Sequence, residues 1–501
     1  MKAPARAIAA GALLASALSM APVFRPGVFS PALSAQEASP TQGLVRKRQV
    51  PVSDEILKFK LPRPAETTLS NGLRLIVLED RRLPQISFQL IVPGAGGYAD
   101  PAEQPGLAAF TAALMREGTP TRTSNQISEQ LELMAATLNF AAGSSPEATI
   151  TGGALSDQAV RLMDLASDVL LRPSFPDEEL ARFKQRTRAA LVQQRANPAF
   201  LAAEFFSRAV YGTHPAARIS PTLAALDRLT REDLVAFHRG HYLPDRAVLA
   251  IAGDVSMFQA RLVVEAKLGG WSKPPTAVTI PVAEPEPVTQ PKLYFVARPG
   301  SVQTNLLVGS QAIERTNADY DALTVMNRII GGGAMGRLFQ HLREEKGYTY
   351  GASSALDARQ HRGDWAASTN VRTEVTGPAL GDLLDEVRQL REIPVPDQEL
   401  ADAKRSMVAS FALPLESPAQ LLGLYLTQWR FKLPADYWDR YAERVMAVTT
   451  EQVQAAARRY LAQDRLQIVV VGDPAQALEA LQKLGPVETF DANGNPTTAE
   501  K

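Results

Sequence analysis

The chain of 501 residues contains no cysteine, which excludes disulfides, thiolate metal sites and a cysteine nucleophile. It also lacks an excess of charge, because 53 Lys and Arg balance 53 Asp and Glu. No overall field therefore draws it to nucleic acid or to an anionic membrane. The remaining composition, 45% hydrophobic and 21% charged, is typical of a globular protein with about two to four domains.

Long apolar runs are scarce, and the longest uncharged one lies at the N-terminus. Lys2 and Arg6 precede residues 7–24, which are rich in Ala, Leu and Ser, and a small-residue motif ends at Ala35. This pattern predicts a signal peptide over residues 1–35, cleaved near Ala35, and a periplasmic or secreted protein with no membrane contact after cleavage. An uncleaved membrane anchor is the alternative, since the run approaches the shortest spanning length.

The rest of the chain repeats itself. Shifts of 219 and 220 positions superpose matching residues: Thr230 on Thr449, Gly253 and Asp254 on Gly472 and Asp473, and Pro176 and Asp177 on Pro396 and Asp397. We therefore predict an α+β protein of two homologous halves, each an antiparallel β-sheet packed with helices, which face each other across a ligand cavity. The predicted segments are an N-terminal arm (36–63), a first half (64–270), a Pro-rich linker (271–291), a second half (292–490) and a polar tail (491–501).

Apolar periodicity gives a coarse secondary structure for the first half. It predicts strands at 73–78 and 85–92, a helix at 105–117, and helical regions at about 157–172 and 177–209.

A glycine-rich stretch over residues 331–350 is the most distinctive part of the second half. Its Gly-x-Gly-x-x-Gly pattern is that of a dinucleotide site, but it follows a segment of helical period rather than a strand. We predict instead a short amphipathic helix that ends at Arg343, with Leu338, Phe339 and Leu342 on its apolar side and Gly347 as its terminating residue.

Arg343 and Tyr350 are the candidate functional residues of this stretch. A guanidinium beside a phenol can donate to a carbonyl oxygen that gains negative charge. The alternative interpretation is a solvated helix charge and a half-buried strand aromatic.

Two histidine pairings have partial metal-ligand character. His238 and His241 have ligand-like spacing without a nearby carboxylate, and His341 precedes Glu344 and Glu345 but lacks a second histidine. We predict no metal site from either.

Several short motifs together resemble the pitrilysin/insulin-degrading-enzyme family of inverted-motif zinc peptidases, which includes the mitochondrial processing peptidase. The motifs lie at 70–73, 106–110, 118–119, 173–180, 214–215, 253–254, 299–304 and 331–350, and the resemblance covers residues 64–490. In particular, the chain resembles the non-metal-binding bacterial subunits of this family.

The family's His-x-x-Glu-His motif is missing. The resemblance places its histidines at Ala109 and Ala113, its glutamate at Ala112, and a third ligand at Ala189 or Ala190. A methyl group neither coordinates a metal nor accepts a proton, so these positions cannot perform the family's chemistry.

Another part of the family's active site, the part that contacts the peptide, is present in this sequence by resemblance. The resemblance implies that Arg343 and Tyr350 hold a peptide carbonyl at a zinc ion carried by a partner subunit with an intact motif, while this chain binds no cofactor. It also implies that an unfolded or flexible peptide adds to a strand edge formed by Leu138, Asn139, Phe140 and Ala141. A non-proteolytic structural or peptide-binding protein of the same fold is the alternative.

Overall fold

The computed structural model describes residues 56–272 and 283–497. The predicted signal peptide lies outside these ranges, as do most of the predicted arm and residues 273–282 of the predicted linker.

The described part of the first half contains six strands and eight helices, besides short 3-10 turns. The strands are β1 (Ala65–Thr68), β2 (Arg74–Glu79), β3 (Gln85–Pro93), β4 (Thr137–Ala142), β5 (Glu147–Leu155) and β6 (Val248–Gly253). The helices are α1 (Leu107–Met115), α2 (Ser124–Leu133), α3 (Ala159–Leu171), α4 (Asp177–Gln194), α5 (Pro198–Tyr211), α6 (Leu223–Arg228), α7 (Arg231–His241) and α8 (Met257–Leu268).

The described part of the second half again contains six strands and eight helices, and one α-helix continues as a π-helix. The strands are β7 (Lys292–Ala297), β8 (Gln303–Gln311), β9 (Thr349–Asp357), β10 (Asp364–Arg372), β11 (Gln467–Gly472) and β12 (Val487–Phe490). The helices are α9 (Tyr320–Gly331), α10 (Arg337–Phe339) with its π-helical continuation Gln340–Glu345, α11 (Thr376–Glu392), α12 (Asp397–Ala412), α13 (Pro418–Phe431), α14 (Tyr441–Ala447), α15 (Thr450–Tyr460) and α16 (Pro474–Gln482).

Each half builds one six-stranded sheet. The strand orders are β1-β2-β6-β3-β5-β4 and β12-β7-β11-β8-β10-β9. The predicted architecture of two α+β halves is confirmed, but the sheets are mixed rather than wholly antiparallel. Strand β2 is parallel to β6, and β7 is parallel to both β11 and β12. These parallel pairs join strands far apart in sequence, which hairpin-like strand patterns do not reveal.

The internal repeat recurs in three dimensions. Helix α15 and strand β11 have the same lengths as α7 and β6 and lie 219 positions later, and α13 has the length of α5 and lies 220 later. Thr230 and Thr449 occupy the same position, each forming a capping box at the start of α7 and α15. The capping signals were therefore duplicated along with the core residues.

The predicted helical region at 177–209 is two helices, α4 and α5, so that prediction was wrong at its centre. Pro198 lacks the N–H that a continuous helix requires, and it begins α5 instead. The side chain of Asn197 accepts a hydrogen bond from the N–H of Ala199 at 3.0 Å and caps the new helix.

The two halves exchange helices. Helix α5 of the first half packs on β7, β8 and β11 of the second sheet, and α13 of the second half packs on β3 and β6 of the first sheet. Phe206 on α5 approaches β8 so closely that a Cβ at Gly309 would lie 2.7 Å from its ring. Buried apolar residues from both halves form each contact, including Leu201 and Val469 at one and Tyr425 and Ile76 at the other.

Among the described residues, none of the helices combines the length and the apolar character needed to cross a membrane.

The helix exchange predicts that the halves unfold together. Phe206 is 5% exposed, and Phe206→Ala should lower the free energy of unfolding by about 3 to 5 kcal/mol, because it leaves a cavity between α5 and the second sheet. In scanning calorimetry the variant should keep a single transition at lower temperature. Val192→Ala, at a 57% exposed position on α4, is the control and should change stability by less than about 1 kcal/mol. Two separate transitions in the wild type would contradict the coupling.

Candidate functional site

Helix α1 carries Ala109, Ala112 and Ala113, the positions at which the resemblance places the family's metal motif. Ala109 is half-buried, Ala113 is exposed, and Ala112 is 1% exposed against the core. Ala109 and Ala113 lie one helical turn apart on the same face, as two metal-binding histidines would. The helix presents only methyl groups at these three positions.

The third ligand position lies on α4, which packs against α1. The rings of Phe110 on α1 and Phe183 on α4 meet edge to face, with their centroids 5.7 Å apart. Ala189 and Ala190, about two turns beyond Phe183, are both exposed. The two helices are therefore neighbours, but α4 also presents methyl groups where a carboxylate is expected.

These residues do not fit a zinc ion. Zinc in proteins is held by imidazole, thiolate or carboxylate groups, and none of Ala109, Ala112, Ala113, Ala189 and Ala190 offers one. Within residues 56–272 and 283–497, no group of three or more His, Cys, Asp or Glu side chains has metal-binding geometry.

A buried carboxylate, that of Asp100, nevertheless holds the start of α1. The carboxylate of Asp100 accepts hydrogen bonds from the N–H groups of Gly106 at 2.6 Å and Ala108 at 2.8 Å. Burial raises the pKa of Asp100 to about 6, although these two hydrogen bonds act in the opposite direction. Asp100 thus satisfies two main-chain donors at the start of the helix.

Arg343 lies on a π-helix rather than at the end of an α-helix, which corrects the predicted helix. Leu338 and Leu342 are fully buried as predicted, whereas Phe339 is only half-buried. The guanidinium of Arg343 lies over the Phe339 ring, 4.6 Å from its centroid, and its Nε is 3.4 Å from Glu344. Its side chain keeps 43% of its surface exposed, so its donors remain available.

Helix α10 and its π-helical continuation are anchored to two helices of the same half. Arg337 donates two hydrogen bonds to Glu399 on α12, each 2.7 Å long. His341 Nδ1 lies 2.8 Å from Glu386 on α11. These contacts hold the segment to two helices, and π-helical turns of this kind occur often at functional sites.

Tyr350 follows the turn that ends this segment. Gly347 has a φ of 62°, as its predicted role as a helix-terminating residue requires, and its N–H donates to the carbonyl of Arg343 at 3.1 Å. The side chain of Tyr350 on β9 is 89% exposed. Its hydroxyl makes no hydrogen bond to any residue that the structure describes, so both predicted donors are accessible from solvent.

The predicted peptide strand is β4, at the edge of the first sheet, where it pairs only with β5. Leu138 is buried, Phe140 is half-buried, and Asn139 and Ala141 are exposed. An edge strand has backbone groups available for another strand, and its use by a peptide remains a prediction.

The remaining histidine pair is structural. His238 Nε2 lies 2.7 Å from the carbonyl of Leu170, and His241 Nδ1 lies 2.8 Å from the carbonyl of Gly94. Burial lowers the pKa of both imidazoles, so they bind main-chain carbonyls as neutral rings.

Two cavities lie where each exchanged helix meets the sheet of the other half. The first, of about 680 Å³, lies between α13 and the ends of β3, β5 and β6. The second, of about 470 Å³, lies between α5, strands β8, β9 and β10, and the glycine-rich stretch. Phe339, which contacts Arg343, and Gly351, which follows Tyr350, both line the second cavity.

The two cavities lie at equivalent positions of the internal repeat. Ser87 in the first cavity and Asn305 in the second occupy the same position on β3 and β8, and Ala199 and Ala419 match on the exchanged helices. The repeat predicts a ligand cavity between the halves, but sequence reasoning did not predict that each exchanged helix forms one or which residues line it. The repeat could have paired these residues, but no sequence signal shows that the helices exchange.

Family models match both halves of the chain. The model described as insulinase, peptidase family M16, matches residues 75–220, and the model described as the peptidase M16 inactive domain matches residues 228–407. The chain belongs to the M16 peptidase family. The positions of the missing zinc ligands therefore lie in the half matched by the first model, and Arg343 and Tyr350 lie in the half matched by the second.

Relatives within the M16 family carry names that refer to zinc. An uncharacterized zinc protease of Mycobacterium leprae is 30% identical over 58% of this chain and 65% of that protein. One of Mycobacterium tuberculosis is 25% identical over 79% of this chain and 91% of that protein.

Solved structures of other proteins share the fold. A peptidase M16 inactive domain from Pseudomonas fluorescens is 28% identical, with a TM-score of 0.76 over 82% of this chain and 98% of that chain. The periplasmic protease PqqL from Escherichia coli is 16% identical, with a TM-score of 0.68 over 86% of this chain and 48% of that chain.

The raised pKa of Asp100 predicts a pH-dependent stability. Because the folded-state value of about 6 exceeds the ordinary value of 3.8, the contribution of this group is complete below pH 4 and is lost as pH rises through 6. The free energy of unfolding of Asp100→Asn, relative to wild type, should therefore increase by roughly 2 to 3 kcal/mol between pH 4 and pH 7. Urea titrations at several pH values measure this difference. A difference that stays constant with pH would contradict the assignment.

Proposed function

We propose that this chain is the zinc-free subunit of an exported, heteromeric zinc metalloendopeptidase. It completes the peptide chamber and supplies Arg343 and Tyr350 to a zinc site on a partner subunit. The observation that carries the proposal is a contrast between the halves: methyl groups fill the metal positions of the first, whereas two accessible donors remain in the second.

The chain alone lacks the groups that peptide hydrolysis requires in this family. A zinc ion supplies an activated water and polarises the scissile carbonyl, and a carboxylate takes up the proton. Ala109, Ala113 and Ala190 cannot hold the ion, and Ala112 cannot accept the proton. Hydrolysis therefore requires a partner of the same family with an intact His-x-x-Glu-His motif.

Arg343 and Tyr350 suit a role in trans. Both side chains are exposed, while the segment that leads into Arg343 is fixed to α11 and α12 through Glu386 and Glu399. Donors held in place before the reaction stabilise a developing oxyanion without a further cost of reorganisation. A guanidinium and a phenol provide two such donors for one carbonyl oxygen.

The substrate in this proposal is an unfolded or flexible peptide. Strand β4 has a free outer edge along residues Leu138, Asn139, Phe140 and Ala141, and main-chain pairing at such an edge tolerates many sequences.

Export is supported by the signal-like N-terminus over residues 1–35 and by the likeness to the fold of a periplasmic protease. The alternative is a structural or peptide-binding member of the fold without a role in cleavage. In that case the accessibility of Arg343 and Tyr350 would have no catalytic consequence.

Removing the guanidinium tests the proposal. When Arg343→Ala is combined with the zinc-bearing partner, kcat for a fluorogenic peptide should fall by about 100-fold to 1000-fold, because one oxyanion donor is lost. The affinity between the subunits, measured by analytical ultracentrifugation, should not change.

Arg388→Ala is the matched control, since Arg388 has the same 43% exposed side chain on the same half but pairs with Asp385 and Glu392 on the surface of α11. It should leave kcat within about twofold of wild type. Assembly-dependent cleavage that is as fast with Arg343→Ala as with the wild type would contradict the catalytic role of Arg343 and favour the non-proteolytic alternative.

A further inference from the structure

The second cavity is lined by an asparagine whose amide has no partner within the described part of the chain. Asn305 on β8 is only 8% exposed, and its side chain makes no hydrogen bond to any residue in the described part of the chain. Its amide nitrogen and oxygen are not fully enclosed by protein, so both remain open to the cavity. Because Asn305 lines the cavity, a ligand that enters there can supply the missing partners.

The neighbours of Asn305 are polar and neutral. Asn370 on β10 is directly opposite Asn305 on β8. Ser368, two residues before Asn370 on β10, is paired with Ser353 on the next strand, β9. These side chains also make no hydrogen bonds to other described residues. None of the described residues that line this cavity carries a charge.

We propose that this cavity binds the carboxamide side chain of an Asn or Gln residue in the peptide. The carboxamide carries both a donor and an acceptor, and so does Asn305, so the two groups can exchange a pair of hydrogen bonds. A carboxylate in the same place would lose its hydration without a lining cation to pair with. The identification of the ligand as a peptide rests on the proposed function.

The matching cavity of the first half has a different chemistry. Ser87 replaces Asn305, and Gly153 replaces Asn370 in the same cross-strand pair. Its lining also carries charge, because Arg82 donates to Asp80 at 3.0 Å and to the carbonyl of Glu416 at 2.9 Å. The duplicated cavities have thus diverged, and the second places the amides of Asn305 and Asn370 where the first has Ser87 and Gly153.

Fluorescence polarisation with the full chain tests the proposal. The probes are three fluorescein-labelled nonapeptides of Ala, Ser and Gly that differ only in one central residue, which is Gln, Glu or norleucine. We expect the Gln peptide to bind about five- to tenfold more tightly than either of the others, as one or two neutral hydrogen bonds permit.

Asn305→Leu keeps the branching and number of heavy atoms of the side chain but removes the amide. It should abolish the preference for Gln and leave the melting temperature close to that of wild type, because no hydrogen bond to a described residue is lost. A purely structural asparagine would give a lower melting temperature. Ser87→Leu, in the first cavity, should leave the preference for Gln unchanged.

Three results would overturn the proposal: equal binding of the three peptides, no binding of any of them, or a preference for Gln that survives Asn305→Leu. Any of these, together with cleavage that still depends on Arg343, would leave the proposed function intact. The opposite outcome is a preference for Gln that depends on Asn305 in a protein that shows no assembly-dependent cleavage. It would support the carboxamide-binding cavity and contradict the peptidase role.

Discussion

The apolar contacts of the two exchanged helices determine the arrangement of everything else. Helix α5 buries Leu201, Phe205 and Phe206 on the second sheet, and α13 buries Leu421, Leu422 and Tyr425 on the first, so each half covers one face of the other half's sheet. Burial of this kind is the main favourable term in folding. The same contacts form the walls of both cavities and hold the glycine-rich stretch beside the first half's α5. The exchange therefore joins the fold to the candidate site.

Within this scaffold the two halves differ in the chemical groups that they offer for catalysis. Helix α1 retains its buried core face and its Asp100 cap, although methyl groups occupy the positions at which the resemblance places metal ligands. Alanine has the highest intrinsic helix propensity, so these substitutions do not weaken the helix. The second half keeps Arg343 and Tyr350 exposed on an anchored segment, and it keeps a polar cavity beside them. The proposed role, in which this chain assists the zinc site of a partner, requires this combination.

Much of the fold could be predicted from the sequence because the repeat preserves local signals. The capping residues Thr230 and Thr449 and the terminating Gly347 mark their elements by short-range chemistry. The break between α4 and α5 could also have been predicted from Pro198, which the prediction of one continuous helical region did not take into account. The π-helical turn, the parallel strand pairs and the helix exchange depend on contacts between distant residues. The unpaired amide of Asn305 likewise becomes visible only when its surroundings are known.

Metal content tests the central claim most directly. The chain is purified without any partner from a zinc-containing buffer, and its bound zinc is measured by mass spectrometry alongside peptide hydrolysis. The account predicts far less than one equivalent of zinc and no hydrolysis, because Ala109, Ala113 and Ala190 offer no ligand. One tightly bound zinc ion together with unaided peptide hydrolysis would contradict it.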